Sequence, residues 1–373
     1  MVMFPSTLLL LFFLLFVTPS ATTHIAAIKG GYWPSWLAET NPPSTIQTPY
    51  FTHFFYAFVV PNSNTYELSI PANDNKWMRN FTTTLHKKKP WAKTLLSIGG
   101  GGSNSSAFAA IAANPSLRAT FIASTINVAR TYGFDGLDLD WEFPATRQDM
   151  SNLATLFAEW RTAVDKESVT TSRPRLLLSA AVYFASNFFL SSTPRAFPAY
   201  SINKNLDFVN VMCYDYRGSW DTSATGAHAL LYDRTSNIST SYGVGSWIRA
   251  GVGSRKVVMG LPMYGRTWQL KDPAAHGIAD PAVGVGPGPE GVLTFREIVD
   301  FNGRNNATTV YDADTVSTYS FAGNAWIGYD GVWSVRRKVR YAKAHRLGGY
   351  FFWALGYDKE WTLSKTASVA WNN

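Results

Sequence analysis

Apolar runs of strand length recur along the chain, and between them apolar residues return every three or four positions. The runs are Ala26–Trp33, Phe51–Val60, Thr94–Gly99, Gly133–Trp141, Leu176–Tyr183, Leu206–Asp215, Lys256–Met263 and Gly348–Leu355. They are rich in β-branched and aromatic residues and do not alternate apolar with polar, the pattern of parallel strands covered on both faces. Helix signals lie between them. Asn114-Pro115 reads as an N-cap with proline in the first turn, Phe121, Ile122 and Ile126 line one face, and Gly133 is the stop. Ser151 is placed as the cap of a helix whose buried face carries Leu156, Trp160 and Val164. Eight strands alternating with helices predict an α/β fold, a (β/α)8 barrel.

One connection breaks the pattern. From Gly265 to about Val332 no simple helix stands out; instead there is a Gly/Pro cluster, Val285-Gly-Pro-Gly-Pro-Glu290, and short strand-like pieces at Thr308–Tyr311, Ser317–Phe321 and Ala325–Tyr329. A structureless loop of that length is improbable in a compact domain. Residues 265–332 are therefore expected to form a small α+β insertion, with the barrel built from 24–264 and 333–373. At the start, Leu8–Val17 is an unbroken apolar run followed by small residues, shorter than the ~20 a membrane-spanning helix needs. Residues 1–23 read as a secretory signal peptide cleaved near Ser20 to Thr23. The expected destination is the cell exterior, with the vacuole as the alternative.

Composition adds constraints. Of 373 residues, 46% are hydrophobic and 14 are Trp, enough for a large core and an aromatic binding surface besides. The single cysteine, Cys213, excludes an internal disulfide, and the six histidines show no metal-ligand spacing, so neither metal nor cofactor is expected. The net charge of +8 comes from dispersed Lys and Arg. The run Arg336 to Arg340 falls on a helix pattern with Val335, Val339 and Ala342 inward, and reads as a solvated face, so no nucleic-acid partner is predicted. In a secreted protein Asn80, Asn104, Asn237 and Asn306 would be glycosylation sites, each standing in an Asn-x-Ser/Thr sequon. A monomer without membrane attachment is expected.

The chemistry concentrates in Asp135-Gly-Leu-Asp-Leu-Asp-Trp-Glu-Phe-Pro144. In a strand, Asp138, Asp140 and Glu142 share one face and Leu137, Leu139 and Trp141 the other. With the apolar set against the helices, three carboxyl groups stack inside the barrel. Glu142 is then nearest the C-terminal mouth, where catalytic groups of such barrels gather, and Asp138 is deepest. Neighbouring buried carboxylates cannot all ionise, so at least one should hold a proton, and Glu142 is a candidate general acid near neutral pH. Asp135 is read as structural.

Asp135-Gly-Leu-Asp-Leu-Asp-Trp-Glu142 resembles the DGxDxDxE signature of glycoside hydrolase family 18, the chitinases. Leu96-Ser-Ile-Gly-Gly100, Val211-Met-Cys-Tyr-Asp215, Leu261-Pro-Met-Tyr-Gly-Arg266 and Gly348-Gly-Tyr-Phe-Phe-Trp353 resemble further motifs of that family, in order, from about Ala26 to the C-terminus. Gly31-Tyr-Trp33 and Trp326-Ile-Gly-Tyr-Asp330 bring the likeness closest to the plant class V chitinases. The resemblance implies a TIM barrel with the insertion between strand 7 and helix 7. It also implies a substrate-assisted retaining mechanism on chitin or chitooligosaccharides. Glu142 would be the general acid and base, Asp140 would hold the acetamido N–H, and Asp138 would share a proton with Asp140. Tyr214 would bond the acetamido carbonyl, and Asp215 would help position it. Trp353 would be the sugar platform; Tyr32, Phe58, Met212, Tyr264 and Arg266 would line the cleft; Trp326 would deepen its wall. Gly99 and Gly100 give backbone space for sugar or a neighbouring strand. Phe143 stands where the family more often has Tyr. The alternatives are a lectin on the same scaffold, which needs no proton donor, a hydrolase of lipid-bearing chitooligosaccharides, and an endoglycosidase for N-glycans.

Overall fold

Every one of the apolar runs supplies a barrel strand; seven of the strands are somewhat shorter than their apolar stretch, and the third begins one residue before it. The computed structural model describes residues 27–373, so the signal segment proposed for residues 1–23 lies outside the described residues. The strands are β1 (Ile28–Pro34), β2 (His53–Pro61), β3 (Lys93–Gly99), β4 (Gly136–Asp140), β5 (Leu177–Val182), β6 (Phe208–Val211), β7 (Val257–Pro262) and β8 (Gly349–Trp353). All pair in parallel with their neighbours, and β1 pairs with both β2 and β8, closing the barrel. The run from Gly133 shortens because Gly133, at φ 76°, ends the preceding helix rather than starting a strand.

The helices wrap the outside. In Pro115–Tyr132 the Asn114 side chain accepts from the Ser116 and Leu117 amides, satisfying two free helix-start donors. The next helix, Arg147–Thr171, begins earlier than expected. Its cap is Thr146, not Ser151: Thr146 and Asp149 form a reciprocal capping box, and Ser151 lies within the first turns. Leu156, Trp160 and Val164 are buried as the pattern required. Most of the core sits between strands and helices, where Leu137, Leu139 and Trp141 pack. A second aromatic cluster, including Tyr32, Phe55, Phe208 and Phe351, fills the lumen.

The chain leaves β7 directly into a separate antiparallel sheet made of Tyr264–Leu270, Ala282–Val285, Val292–Thr294, Thr308–Asp312, Ser317–Ala322 and Ala325–Tyr329. One helix, Phe295–Asn305, packs there, started by a Thr294/Glu297 capping box. Trp326 does not reach the cleft. It is 0% exposed among Trp268, Leu270, Ala282 and Tyr319, and its indole N–H donates to the His276 carbonyl (2.9 Å). Its strand position turns it toward this sheet's own core.

The Arg336–Arg340 run also contains a surprise. Arg337 and Arg340 are exposed, but Lys338 is buried. Its ammonium bonds both Asp330 carboxylate oxygens at 2.6 Å and donates to the Ala229 carbonyl. This joins the helix Val332–Ala344, the end of the insertion and the segment following β6. Asp330→Ala would leave that ammonium buried without a counter-charge, an expected loss of about 3–5 kcal/mol. Urea unfolding checks it; a loss below ~1 kcal/mol would show that the pair carries little net weight.

Candidate active site

The strand alternation on β4 places the carboxyl column. Leu137 and Leu139 face the helices, while Asp138 (0% exposed) and Asp140 (4%) face the lumen. Glu142 follows the strand end and opens into the cleft. The parallel register brings Ser97 of β3 and Ser179 of β5 level with Asp138. Their hydroxyls donate to its two oxygens at 2.8 and 2.6 Å, and Tyr32 donates at 2.8 Å. The Tyr32 oxygen in turn accepts from Asn210 Nδ2 (2.8 Å). Burial raises the Asp138 carboxyl above its ordinary range, and the three hydroxyl donors oppose that rise.

Asp140 has no such support. Its Oδ1 is buried with no hydrogen-bond partner. Burial first, then the charges of Glu142 and Asp138, push its pKa well above the usual carboxylate range. No hydrogen bond joins Asp138 to Asp140; residues two apart on a strand are separated by ~7 Å along its axis, and Asp138 is occupied by its hydroxyls. Glu142 is raised to about 7 by burial and, secondarily, by the charge of Asp215. The mouth therefore carries a proton donor poised near neutrality above an acceptor with a free oxygen.

β6 supplies the facing groups. Beyond Val211 the chain leaves the strand, and Asp215 adopts a left-handed backbone (φ 59°). Arg266, on the first insertion strand, holds Asp215 Oδ1 with Nε at 2.9 Å and a terminal guanidinium nitrogen at 2.8 Å. Burial would raise Asp215, but His228 and Arg266 prevail and its carboxyl sits below the ordinary value. Tyr214 needs Gly260 beneath it, where a Cβ would come 2.9 Å from the Tyr214 ring.

The cleft encloses about 480 Å³, lined by Phe58, Gly101, Asp140, Glu142, Met212, Tyr214, Asp215 and Trp353 among others. Trp353 stacks on Phe58, with centroids 5.5 Å apart and planes 22° apart. The structure separates the remaining candidates by distance from this space. Tyr32 is buried, edge-on to Trp353 at 5.7 Å, and supports the floor from the lumen. Tyr264 is buried too, and Arg266 reaches the cleft through Asp215. Gly99 and Gly100 serve their neighbours rather than a sugar. A Cβ on Gly99 would lie 2.0 Å from the Asp140 carbonyl, and one on Gly100 2.6 Å from the Phe58 ring. Gly101 is the glycine that borders the cavity. The sequon residues Asn80, Asn104, Asn237 and Asn306 are all exposed.

Sequence reasoning missed two tryptophans. Trp36, 56% exposed, lies 6.3 Å from Phe58 and 6.2 Å from Trp353, extending the aromatic floor. Trp220, 60% exposed, borders the cavity with the Arg266 guanidinium 5.0 Å above its ring. Each follows the C-terminal end of a barrel strand, a position that could have marked them. Also unforeseen is an apolar wall of Phe143, Tyr183, Phe184, Leu190 and Ile238.

Comparison with known proteins agrees with this geometry. The family model described as glycosyl hydrolases family 18 matches residues 29–358. Nod factor hydrolase protein 1 of Medicago truncatula is 53% identical over 92% of this chain and 90% of its own length. A class V chitinase of the same plant, CHIT5b, is 49% identical over 93% and 91%. The crystal structure of a class V chitinase mutant from Nicotiana tobaccum in complex with NAG4 superposes with a TM-score of 0.89 at 41% identity, covering 93% of this chain and 99% of that one. The chain belongs to glycosyl hydrolases family 18. Within that family it is a glycoside hydrolase of the chitinase kind.

Only neutral Glu142 can donate a proton, and its pKa is raised to about 7. Turnover of N-acetylglucosamine hexamer, as kcat/KM, is therefore expected to hold on the acid side of that value and to fall as pH rises through it. A pH–rate profile checks this; a limb near the ordinary glutamate pKa would contradict it.

Proposed function

We propose that the protein hydrolyses β-1,4 bonds between N-acetylglucosamine units of chitin and chitooligosaccharides by substrate assistance, with retention of configuration. The observation that carries this is the pairing of Glu142, poised near neutrality, with the partnerless Oδ1 of Asp140 at the cleft. A buried acceptor without a donor calls for one, and the acetamido N–H of the sugar on Trp353 supplies it. Glu142 then protonates the glycosidic oxygen as the acetamido oxygen attacks the anomeric carbon. The oxazolinium ion so formed is positive, and Asp140 stabilises it through the hydrogen bond that its free Oδ1 accepts from the ring N–H. Tyr214 donates to the acetamido oxygen, and Asp215, fixed by Arg266, positions that group. The conjugate base of Glu142 finally activates water, which opens the oxazolinium ion. The protein supplies no covalent nucleophile in this scheme, unlike the two-carboxylate retaining enzymes.

A lectin would gain nothing from a buried, poised acid, which favours catalysis. Chitooligosaccharides carrying an acyl chain form a second substrate class. It is supported by the likeness to a relative named as a Nod factor hydrolase and by the apolar wall of Phe143, Tyr183, Phe184, Leu190 and Ile238. The apolar leader Leu8–Val17 supports action outside the cell.

Glu142→Gln is expected to lower kcat on the hexamer by at least about 10²–10⁴-fold, with affinity by calorimetry nearly unchanged; near-wild-type turnover would remove Glu142 from its role. Trp353→Ala is expected to weaken oligosaccharide binding roughly tenfold, ~1.4 kcal/mol. Unchanged affinity in the same titration would rule out the platform.

A further inference from the structure

His228 has no part in the scheme above, yet it is buried against one of its members. The residue is 1% exposed, on the segment following β6. Its Nε2 lies 3.1 Å from the Tyr264 carbonyl oxygen. A carbonyl oxygen only accepts, so Nε2 carries the hydrogen. Nδ1 is thereby left pointing into the protein with no hydrogen-bond partner, and the nearest carboxylate atom is Asp215 Oδ1 at 3.6 Å. In the neutral ring, the Nδ1 lone pair would confront the oxygen of a carboxylate that Arg266 holds ionised. In the imidazolium ring, a second N–H faces that oxygen instead, and both ring nitrogens match their surroundings.

We infer that His228 is a positioning residue, an imidazolium that holds Asp215 together with Arg266 and so sets the charge opposite Glu142. The inference rests on Glu142 being the acid. The groups facing Asp215 are Arg266, His228, Tyr264, Tyr214 and, across the cleft, Glu142. Those around His228 are Asp215 and the Tyr264 ring, 5.0 Å from its own. The next carbonyl, that of Ala229, is fixed by the Lys338–Asp330 pair. The His228 carbonyl accepts from the Tyr216 amide (2.9 Å), closing the loop that carries Trp220. The sign of the effect follows from Coulomb's law. Positive His228 offsets Asp215 and favours ionised Glu142. Loss of that charge by substitution leaves Asp215 less balanced and holds the Glu142 proton more tightly.

His228→Gln keeps an N–H donor of similar reach but never charges. Its alkaline limb of kcat/KM on N-acetylglucosamine hexamer is expected to lie several tenths of a pH unit above the wild-type limb, with KM little changed and kcat several-fold lower. In ¹⁵N spectra of the wild-type protein at about pH 6, the His228 ring should show both nitrogens protonated. A limb at the wild-type position in folded His228→Gln would overturn the inference, as would a wild-type ring with unprotonated Nδ1. Should the variant not fold, the wild-type resonances decide alone. Wild-type protein inactive on the hexamer would overturn the reading of Glu142 itself; the ring spectrum distinguishes that failure from one belonging to His228.

Discussion

The structure turns on keeping carboxyl groups inside a barrel where water cannot solvate them. Asp138 is stabilised by fixed hydroxyls from three other strands, Asp140 is left without a partner for one oxygen, and Glu142 reaches the mouth. This graded support separates one functional group, the carboxyl, into three chemical states: anchored, poised to accept and poised to donate. Replacing Ser97 or Ser179 with an apolar residue would act on that gradient without touching the cleft.

The second half of the site depends on elements far apart in sequence. Asp215 stands on the barrel, its guanidinium partner on the insertion, and the nearby imidazole on a loop whose base is held by Lys338 and Asp330. The charge facing Glu142 is therefore set by three segments that meet only when the insertion is folded against the barrel. The aromatic floor is similarly composite, joining Trp36 after β1, Phe58 on β2 and Trp353 at the end of β8.

Much of this could be read from residues alone, because strand alternation is a local property. Two-residue spacing put Asp138, Asp140 and Glu142 on one face, and apolar runs located all the barrel strands. Local capping chemistry was also available: Thr294 and Glu297 mark a helix start that the reading of the insertion passed over, and Thr146 and Asp149 mark another that Ser151 displaced. What could not be read was where a side chain points once a sheet twists and packs. Trp326 looked like a cleft residue and is core, whereas Trp36 and Trp220 border the aromatic cleft. Lys338 sits in a basic run that reads as solvated, yet its counter-charge lies eight residues earlier, across a turn. The partners of Asp138 come from β1, β3 and β5, a meeting fixed by register.

The Arg266–Asp215 pair bears on how such a protein can change over evolutionary time. An extra sheet grafted into a barrel loop is ordinarily free to drift, shrink or be exchanged between relatives. Here its first strand delivers a guanidinium to the reaction centre and its last hands Asp330 to the helix that follows, so both seams are committed. The insertion is bound into one unit of inheritance with the barrel, and recombination that swapped it alone would have to restore the charge balance at both joints before the hybrid could work.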